Sequence, residues 1–409
     1  MSKPLAGIKV VEFGQNLAGP YCGQILAFLG AEVVKVERPE GDDARKWGPP
    51  FIEGDSVGFI ALNRGKKSIT CDLANKAQRE ALIERISAAD VFVHNLRADV
   101  PAKFGIDGAT LTKRFPQLIY ADLGAFGHVG PWRERPGYEP IIQAVAGLIS
   151  LNGDPSGPEA RIGVSIIDLS HGMWTAIGVL AAIARRATTG RGSLVNTSLF
   201  ESGLMWASNH AANYSVTGRM AARQGTGHPS LTPYQAFECS DGPLMICPGN
   251  DRLWRKFAEA LGHPEWPDEP RFKTNVERMQ HRDLLLGMIA DIMKHKSRDY
   301  WSGKLDALGV PNGPLNTVPQ VLELAQGAAL GMFAKPYAGS DALFHGLPVS
   351  FDGERAANVA KAAEDRRAQR EGLVFRERAG GPRSREISRR SSGSIRARAR
   401  AECGRGFAR

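Results

Sequence analysis

The chain of 409 residues lacks any disulfide framework or thiolate metal site. Its five cysteines, Cys22, Cys71, Cys239, Cys247 and Cys403, are scattered, and none falls in a CxxC pair. That pattern excludes a small cross-linked secreted scaffold and a zinc knuckle. Long apolar runs are also scarce. The longest charge-free, weakly polar stretch of helical character, Gly172 to Ala184, spans 13 residues. A membrane span needs roughly 20, so no membrane partner is expected. No apolar core precedes the first strand-like run in MSKPLAGIKVVEF, so a secretory signal is not expected and the cytoplasm is the expected compartment. GxxxxGK[ST], GxSxG and HExxH are all missing, and the nine histidines show no metal-ligand spacing. P-loop, serine-elbow and zincin chemistry drop out, and no metal is expected.

Net charge is lacking over most of the chain. The net charge of +9 resides in residues 361–409, which carry 15 Lys+Arg against 6 Asp+Glu; residues 1–360 balance at zero. The stretch RERAGGPRSREISRRSSGSIRARARAECGRGFAR has little apolar periodicity and cannot bury enough surface to offset chain entropy. Residues 356–409 therefore read as an Arg-rich tail, disordered or non-native. Such a tail can attract nucleic acid. It has only two aromatics, Phe375 and Phe407, and one lysine, Lys361, so no nucleic-acid partner is expected.

What is present suits a globular enzyme: 43% hydrophobic and 23% charged residues, in a chain long enough for two domains or one core with an insertion. The opening reads as strand (Ile8 to Phe13), Gly/Pro turn (GQNLAGP), apolar helix (YCGQILAFLG) and strand (Glu32 to Glu37), a βαβ unit. DVFVHNL and QLIYADLG continue the alternation, each after helix-like sequence, so the fold class is α/β, doubly wound. Ile142 to Leu151 and Met173 to Arg186 read as buried helices, the second stopping before Gly190. From about residue 225, β-like runs around Asp241-Gly242 and then charged amphipathic helices suggest a smaller α+β domain. GVPNGPLNTVPQVLELA reads as a linker and a returning helix.

Two motifs bear on chemistry. The first turn, Gly14 to Gly19, is not GxGxxG, although Glu37 stands where a ribose-binding acid would sit, so dinucleotide binding is disfavoured. Asp168 lies at or near the start of an apolar helix. As a plain N-cap it would satisfy backbone N–H groups. The same N–H groups and the helix dipole would also keep a nucleophilic carboxylate ionised. Spacing alone leaves both readings open.

Several segments resemble the family III CoA-transferases, which include formyl-CoA and carnitine CoA-transferases and an α-methylacyl-CoA racemase branch. They include PLAGIKVVEFGQNLAGPYCGQILAFLGAEVVKVERPEGDDAR, NRGKKSITCDL, HNLRADVPAKFG, GPWRERPGYEPIIQAVAGLISLNG and IIDLSHGMWTAIGVLAAI. TGRGSLVNTSLFES, GHPSLTPYQAF, GNDRLWRKFAEALG and LGVPNGPLNTV follow in the family's order, and the likeness fades near residue 355.

The resemblance implies that Asp168 is the nucleophile, forming an acyl-aspartyl anhydride and then an aspartyl-CoA thioester, with no cofactor beyond the coenzyme A thioester substrate. It implies that Tyr138 and Glu139 stand near the reacting groups, and that Ala18, Arg38, Asn95, Leu96 and Lys103 bind CoA. The partners are then an acyl-CoA, a carboxylic acid acceptor and a second copy of the chain in an interlocked homodimer. Leu17 replaces a glutamine of formyl-CoA transferase, and GTGHPSLTPYQAF replaces its glycine-rich lid. A larger acid, dicarboxylic or branched, is therefore expected in place of formate or oxalate. The implied architecture is a large Rossmann-like domain built from both chain ends. Residues 1–200 supply its CoA-binding part, 201–224 a linker, 225–315 the small domain and 316–355 the return. Two alternatives stay open: α-proton exchange by a racemase, with His128 or His171 as a base, and a non-catalytic CoA- or nucleic-acid-binding protein.

Overall fold

The computed structural model describes residues 3–335 and 341–355. The Arg-rich tail lies outside the described residues. The core element is a six-stranded, all-parallel sheet of β1 (Lys9–Phe13), β2 (Glu32–Glu37), β3 (Lys67–Thr70), β4 (Val91–His94), β5 (Ile119–Gly124) and β6 (Leu194–Ser198). Its order is β3-β2-β1-β4-β5-β6, so the winding direction reverses between β1 and β4. In open α/β sheets ligands bind at the carboxyl ends of the strands flanking such a reversal. β4 is buried throughout, as parallel strands covered on both faces should be. Four of these strands are visible in the sequence as apolar runs. The two edges are not: KSIT and LVNTS are short and half polar.

Helix α1 (Ala18–Phe28) returns the chain from β1 to β2. Helix α2 (Glu139–Val145) is shorter than the predicted Ile142 to Leu151, because Gly147 takes φ +83° and starts a separate turn at Leu148–Leu151. Helix α3 (Ile166–Thr189) is longer than expected, at 24 residues, and stops at left-handed Gly190. By length and composition α3 could cross a membrane, which the 13-residue run read from the sequence did not suggest. Here it is a core helix: it lies along α1 and against β5 and β6, burying Ile167, Ala176, Val179 and Ala182. Close approach to α1 requires glycine at 172, where a Cβ would stand 2.7 Å from the Ala18 carbonyl oxygen. Helix α4 (Leu199–Thr217) packs on α3.

A second hydrophobic core, from Phe237 to Val310, forms under an antiparallel sheet of β7 (Gln235–Cys239), β8 (Gly242–Ile246) and β9 (Asn312–Pro314). The segment read as a linker thus supplies the third strand at 312–314 before its helix at Val318–Glu323. Beyond residue 340 the chain meets the first core again. Leu347 joins it, and the buried Arg64 guanidinium lies 5.2 Å from both the Phe28 and Phe344 rings and donates to the His345 carbonyl.

Candidate active site

At the carboxyl edge of the parallel sheet lies a cavity of about 1190 Å³. The loops after β1, β2, β3, β4 and β5 line it, together with Asp168 and His171 of α3. Ligand pockets for drug-sized molecules run to roughly 300–1,000 Å³, so the space exceeds what a small organic acid alone would fill.

Asp168 is not the N-cap. Ser165 holds that position, and Asp168 is the third residue of α3, partly buried and facing the cavity. Among the described residues nothing donates a hydrogen bond to its carboxylate. Burial, and then the negative Glu139, push its pKa up from 3.8 to about 7. Desolvation and a like charge thus act against the helix dipole at this carboxylate. Glu139 opens α2 and is buried; Gln143 Nε2 donates to its Oε1 at 2.5 Å, and Arg161 Nη1 lies 3.6 Å from Oε2. Gln143 also accepts from Ile162 N at 2.8 Å, tying α2 to the segment that leads into α3. Tyr138 flanks α2 and is 62% exposed at the cavity.

The other expected residues divide. Ala18, Arg38, Asn95 and Leu96 line the same cavity. Arg38 carries its own counter-charge, Asp43 at 3.0 Å. The Asn95 side chain is occupied on both sides by the Gln15 backbone, accepting from Gln15 N at 2.8 Å and donating to Gln15 O at 2.8 Å. Lys103 does not line the cavity: it is exposed in the last turn of Asp99–Phe104, its Nζ 5.4 Å from the Phe104 ring.

Several lining residues escaped the sequence reading. Cys71 to Ala74 follow β3, a strand not read from the sequence. Asp122, in β5, faces His128 at 3.6 Å and His94 at 3.8 Å. Four arginines line the cavity. Arg38, Arg97 and Arg133 each meet a carboxylate (Asp43, Asp99 and Glu134), whereas Arg135 has none among the described residues. Its guanidinium rests 5.0 Å from the Phe126 ring centroid and 5.1 Å from that of Trp132. An unpaired fork held on aromatic faces is preorganised for an incoming anion; being unpaired was the signal, and only the fold reveals it. His171 is buried, pairs through Nε2 with Thr197 Oγ1 at 2.9 Å, and is pushed down to about 3 by burial. It is a poor proton acceptor at neutral pH. Among the described residues no group of three or more His, Cys, Asp and Glu could hold a metal.

Comparison with known proteins accords with this geometry. Residues 5–363 match the profile of CoA-transferase family III. An acetyl-CoA:oxalate CoA-transferase of Acetobacter aceti is 34% identical over 86% of this chain and 90% of its own length. A succinate–glutarate CoA-transferase of Agrobacterium fabrum is 35% identical over 80% and 84%. The crystal structure of a CAIB/BAIF family protein from Brucella suis superposes with a TM-score of 0.79 at 37% identity, covering 91% of this chain and 100% of that one.

Proposed function

The chain belongs to CoA-transferase family III, and we propose that it moves coenzyme A from an acyl-CoA thioester to a free carboxylic acid through covalent intermediates on Asp168. The observation that carries this reading is the Asp168 carboxylate itself: it faces a cavity larger than a small acid needs, without a hydrogen-bond donor among the described residues, its pKa raised to about 7. Such a carboxylate is a stronger nucleophile than a solvated one, while still ionising near neutral pH.

The steps balance without any external energy source. Ionised Asp168 attacks the thioester carbonyl, the C–S bond breaks, and CoA leaves as thiolate while an acyl-aspartyl anhydride forms. The thiolate attacks the aspartyl carbonyl of the anhydride and expels the donor acid, leaving aspartyl-CoA. The acceptor carboxylate then attacks that thioester and releases the thiolate again. Finally the thiolate attacks the acceptor's own acyl carbon in the new anhydride, giving the product thioester and free Asp168. Dividing one exchange into four displacements of similar energy is the gain from nucleophilic catalysis. Glu139, braced by Gln143 and Arg161, supplies the negative charge that raises Asp168, and Tyr138 stands at the exposed side of the same pocket.

The acid is proposed to be a short dicarboxylic acid. The relatives are named for oxalate, succinate and glutarate, and Arg135, which meets no carboxylate among the described residues, offers a guanidinium for a second carboxylate. A homodimer belongs to the same reading, since α3 and α4 leave Trp174, Ile177, Leu204, Met205 and Trp206 exposed. The test is CoA transfer from succinyl-CoA to glutarate: ping-pong kinetics and exchange of labelled succinate into succinyl-CoA without acceptor are expected. Transfer requiring both substrates bound at once would overturn the covalent route.

A further inference from the structure

The loop from Gly14 to Leu17, which lines the cavity with Gln15, Asn16 and Leu17, has no regular structure, yet three successive residues in it have a backbone group captured by a side chain from elsewhere. Lys35, on β2, donates from Nζ to the Gly14 carbonyl at 2.6 Å. Asn95, just after β4, makes the two-way pair with Gln15 already described. Asp42 accepts from Asn16 N at 3.0 Å. Asn16 is the residue most in need of such restraint, because its φ is +64°, a left-handed conformation that few residues other than glycine adopt.

Two of the captors, Lys35 and Asp42, belong to a buried ionic network. Lys35 Nζ lies 2.9 Å from Asp42 and 3.4 Å from Glu12, and all three side chains are sealed from solvent. Glu12 also meets Lys66 at 2.7 Å, and Lys66 donates to the Pro20 carbonyl in the first turn of α1 at 2.6 Å. Asp42 N in turn donates to Glu37 at 3.0 Å, and Arg45 forks onto both Glu37 oxygens at 2.7 and 2.8 Å. Even Gly23 of α1 is shaped by this network, since a Cβ there would stand 2.0 Å from Glu12 Oε2. Three acids and three bases, Glu12, Glu37, Asp42, Lys35, Lys66 and Arg45, are thus withdrawn from water. Burying ion pairs contributes little or nothing to stability compared with apolar packing, so stability does not account for them. Geometry does. The network ends on the loop after β1, and the Gln15–Asn95 pair joins the two lips of the crevice where the sheet reverses direction.

We infer that Lys35, Asp42 and Asn95 are positioning residues that hold the Gly14–Asn16 backbone in the one conformation that presents Gln15, Asn16 and Leu17 as the CoA-ester wall of the cavity. The inference rests on the CoA-transfer reading above. It assigns the Asn95 side chain to the protein's own loop, where the family resemblance implied a direct ligand contact.

The test compares wild type with Asn95→Ala, which removes one captor without stranding a charge, and with Asp42→Asn, which keeps an acceptor for Asn16. Amide exchange of the peptide spanning residues 14–18, the Kd for free CoA by calorimetry, and KM and kcat for succinyl-CoA with glutarate are measured. In Asn95→Ala, exchange of the Gln15 amide should quicken and the CoA Kd and succinyl-CoA KM should rise about tenfold or more, as expected for two lost hydrogen bonds. The loss should fall on KM more than on kcat, and Asp42→Asn should change the same quantities less. Faster exchange with unchanged Kd and KM would overturn the inference, as would unchanged exchange. A loss of Tm with equal falls in kcat and kcat/KM would mark the clamp as merely structural and overturn it too. Wild type that binds CoA but transfers none would refute the transferase reading alone, with the clamp still decided by exchange and Kd. Wild type that binds no CoA would refute both.

Discussion

Replacing Asp168 by asparagine should make the protein more stable while abolishing its chemistry. The substitution is nearly isosteric and removes a charge that the fold holds at a cost. Moving an aspartate from 3.8 to about 7 by burial and the Glu139 charge corresponds to about 4 kcal/mol at about 1.36 kcal/mol per pH unit, an upper value because local relaxation relieves part of it. The folded pKa is raised, so the folded state holds a proton that the unfolded state releases between pH 4 and about 7. Wild type therefore loses stability as pH rises through that window, and the whole penalty is present above it. The asparagine variant has no such dependence. Calorimetry from pH 5 to 8.5 should show the two proteins converging at the acid end. Above pH 7.5 the variant should melt roughly 3–5 °C higher, the shift expected for about 2–4 kcal/mol in a folded chain of this size. Transfer activity should meanwhile fall by about three orders of magnitude or more. A variant that melts lower than wild type at pH 8, or by a pH-independent margin, would refute the electrostatic account of the site.

Other outcomes follow from the same geometry. With attack requiring ionised Asp168, kcat/KM should rise with pH through about 7; a profile flat from pH 5.5 to 8 would contradict this. Arg135→Gln should lower the glutarate-to-pentanoate ratio of kcat/KM by about tenfold or more, the scale of a lost charge-assisted hydrogen bond, and an unchanged ratio would return Arg135 to the surface. Incubating 2-methylacyl-CoA with enzyme in heavy water should give no α-deuterium uptake, since His171 is pushed to about 3; rapid exchange without acceptor would favour the racemase reading through His128. Deleting residues 361–409, which hold the net charge and little periodic apolar sequence, should leave Tm within about 3 °C, and a fall above about 8 °C would mean that the tail packs.

The strands that were legible in the sequence are those buried on both faces. VVEF, EVVKVE, VFVH and LIYADLG carry continuous apolar character because neighbours cover them, whereas KSIT and LVNTS sit at the sheet edges and carry little. Missing β3 hid Cys71 to Ala74 as part of the cavity. Helix boundaries failed where a single backbone choice decided them, as at Gly147, whose left-handed φ splits the apolar run from Ile142 to Leu151. The nucleophile candidate was visible as an acid at the start of an apolar helix, but its protonation was not. That depends first on burial and then on Glu139, which is 29 residues earlier in the chain and is brought to Asp168 by α2. Lys35, Asp42 and Glu12 looked like ordinary polar positions of a βαβ unit, and only burial distinguishes them. Arg135 stood among other charged residues of RERPGYEP, and its lack of a carboxylate partner among the described residues emerges only in three dimensions.

The central claim is that the acyl group and then CoA pass through the Asp168 carboxylate. Wild-type enzyme incubated with succinyl-CoA and no acceptor, quenched with hydroxylamine and analysed by peptide mass, measures this directly. The account predicts a hydroxamate on Asp168, dependent on the CoA ester and absent from Asp168→Asn. An unmodified Asp168 peptide while transfer proceeds, or a hydroxamate on Glu139 instead, would contradict it.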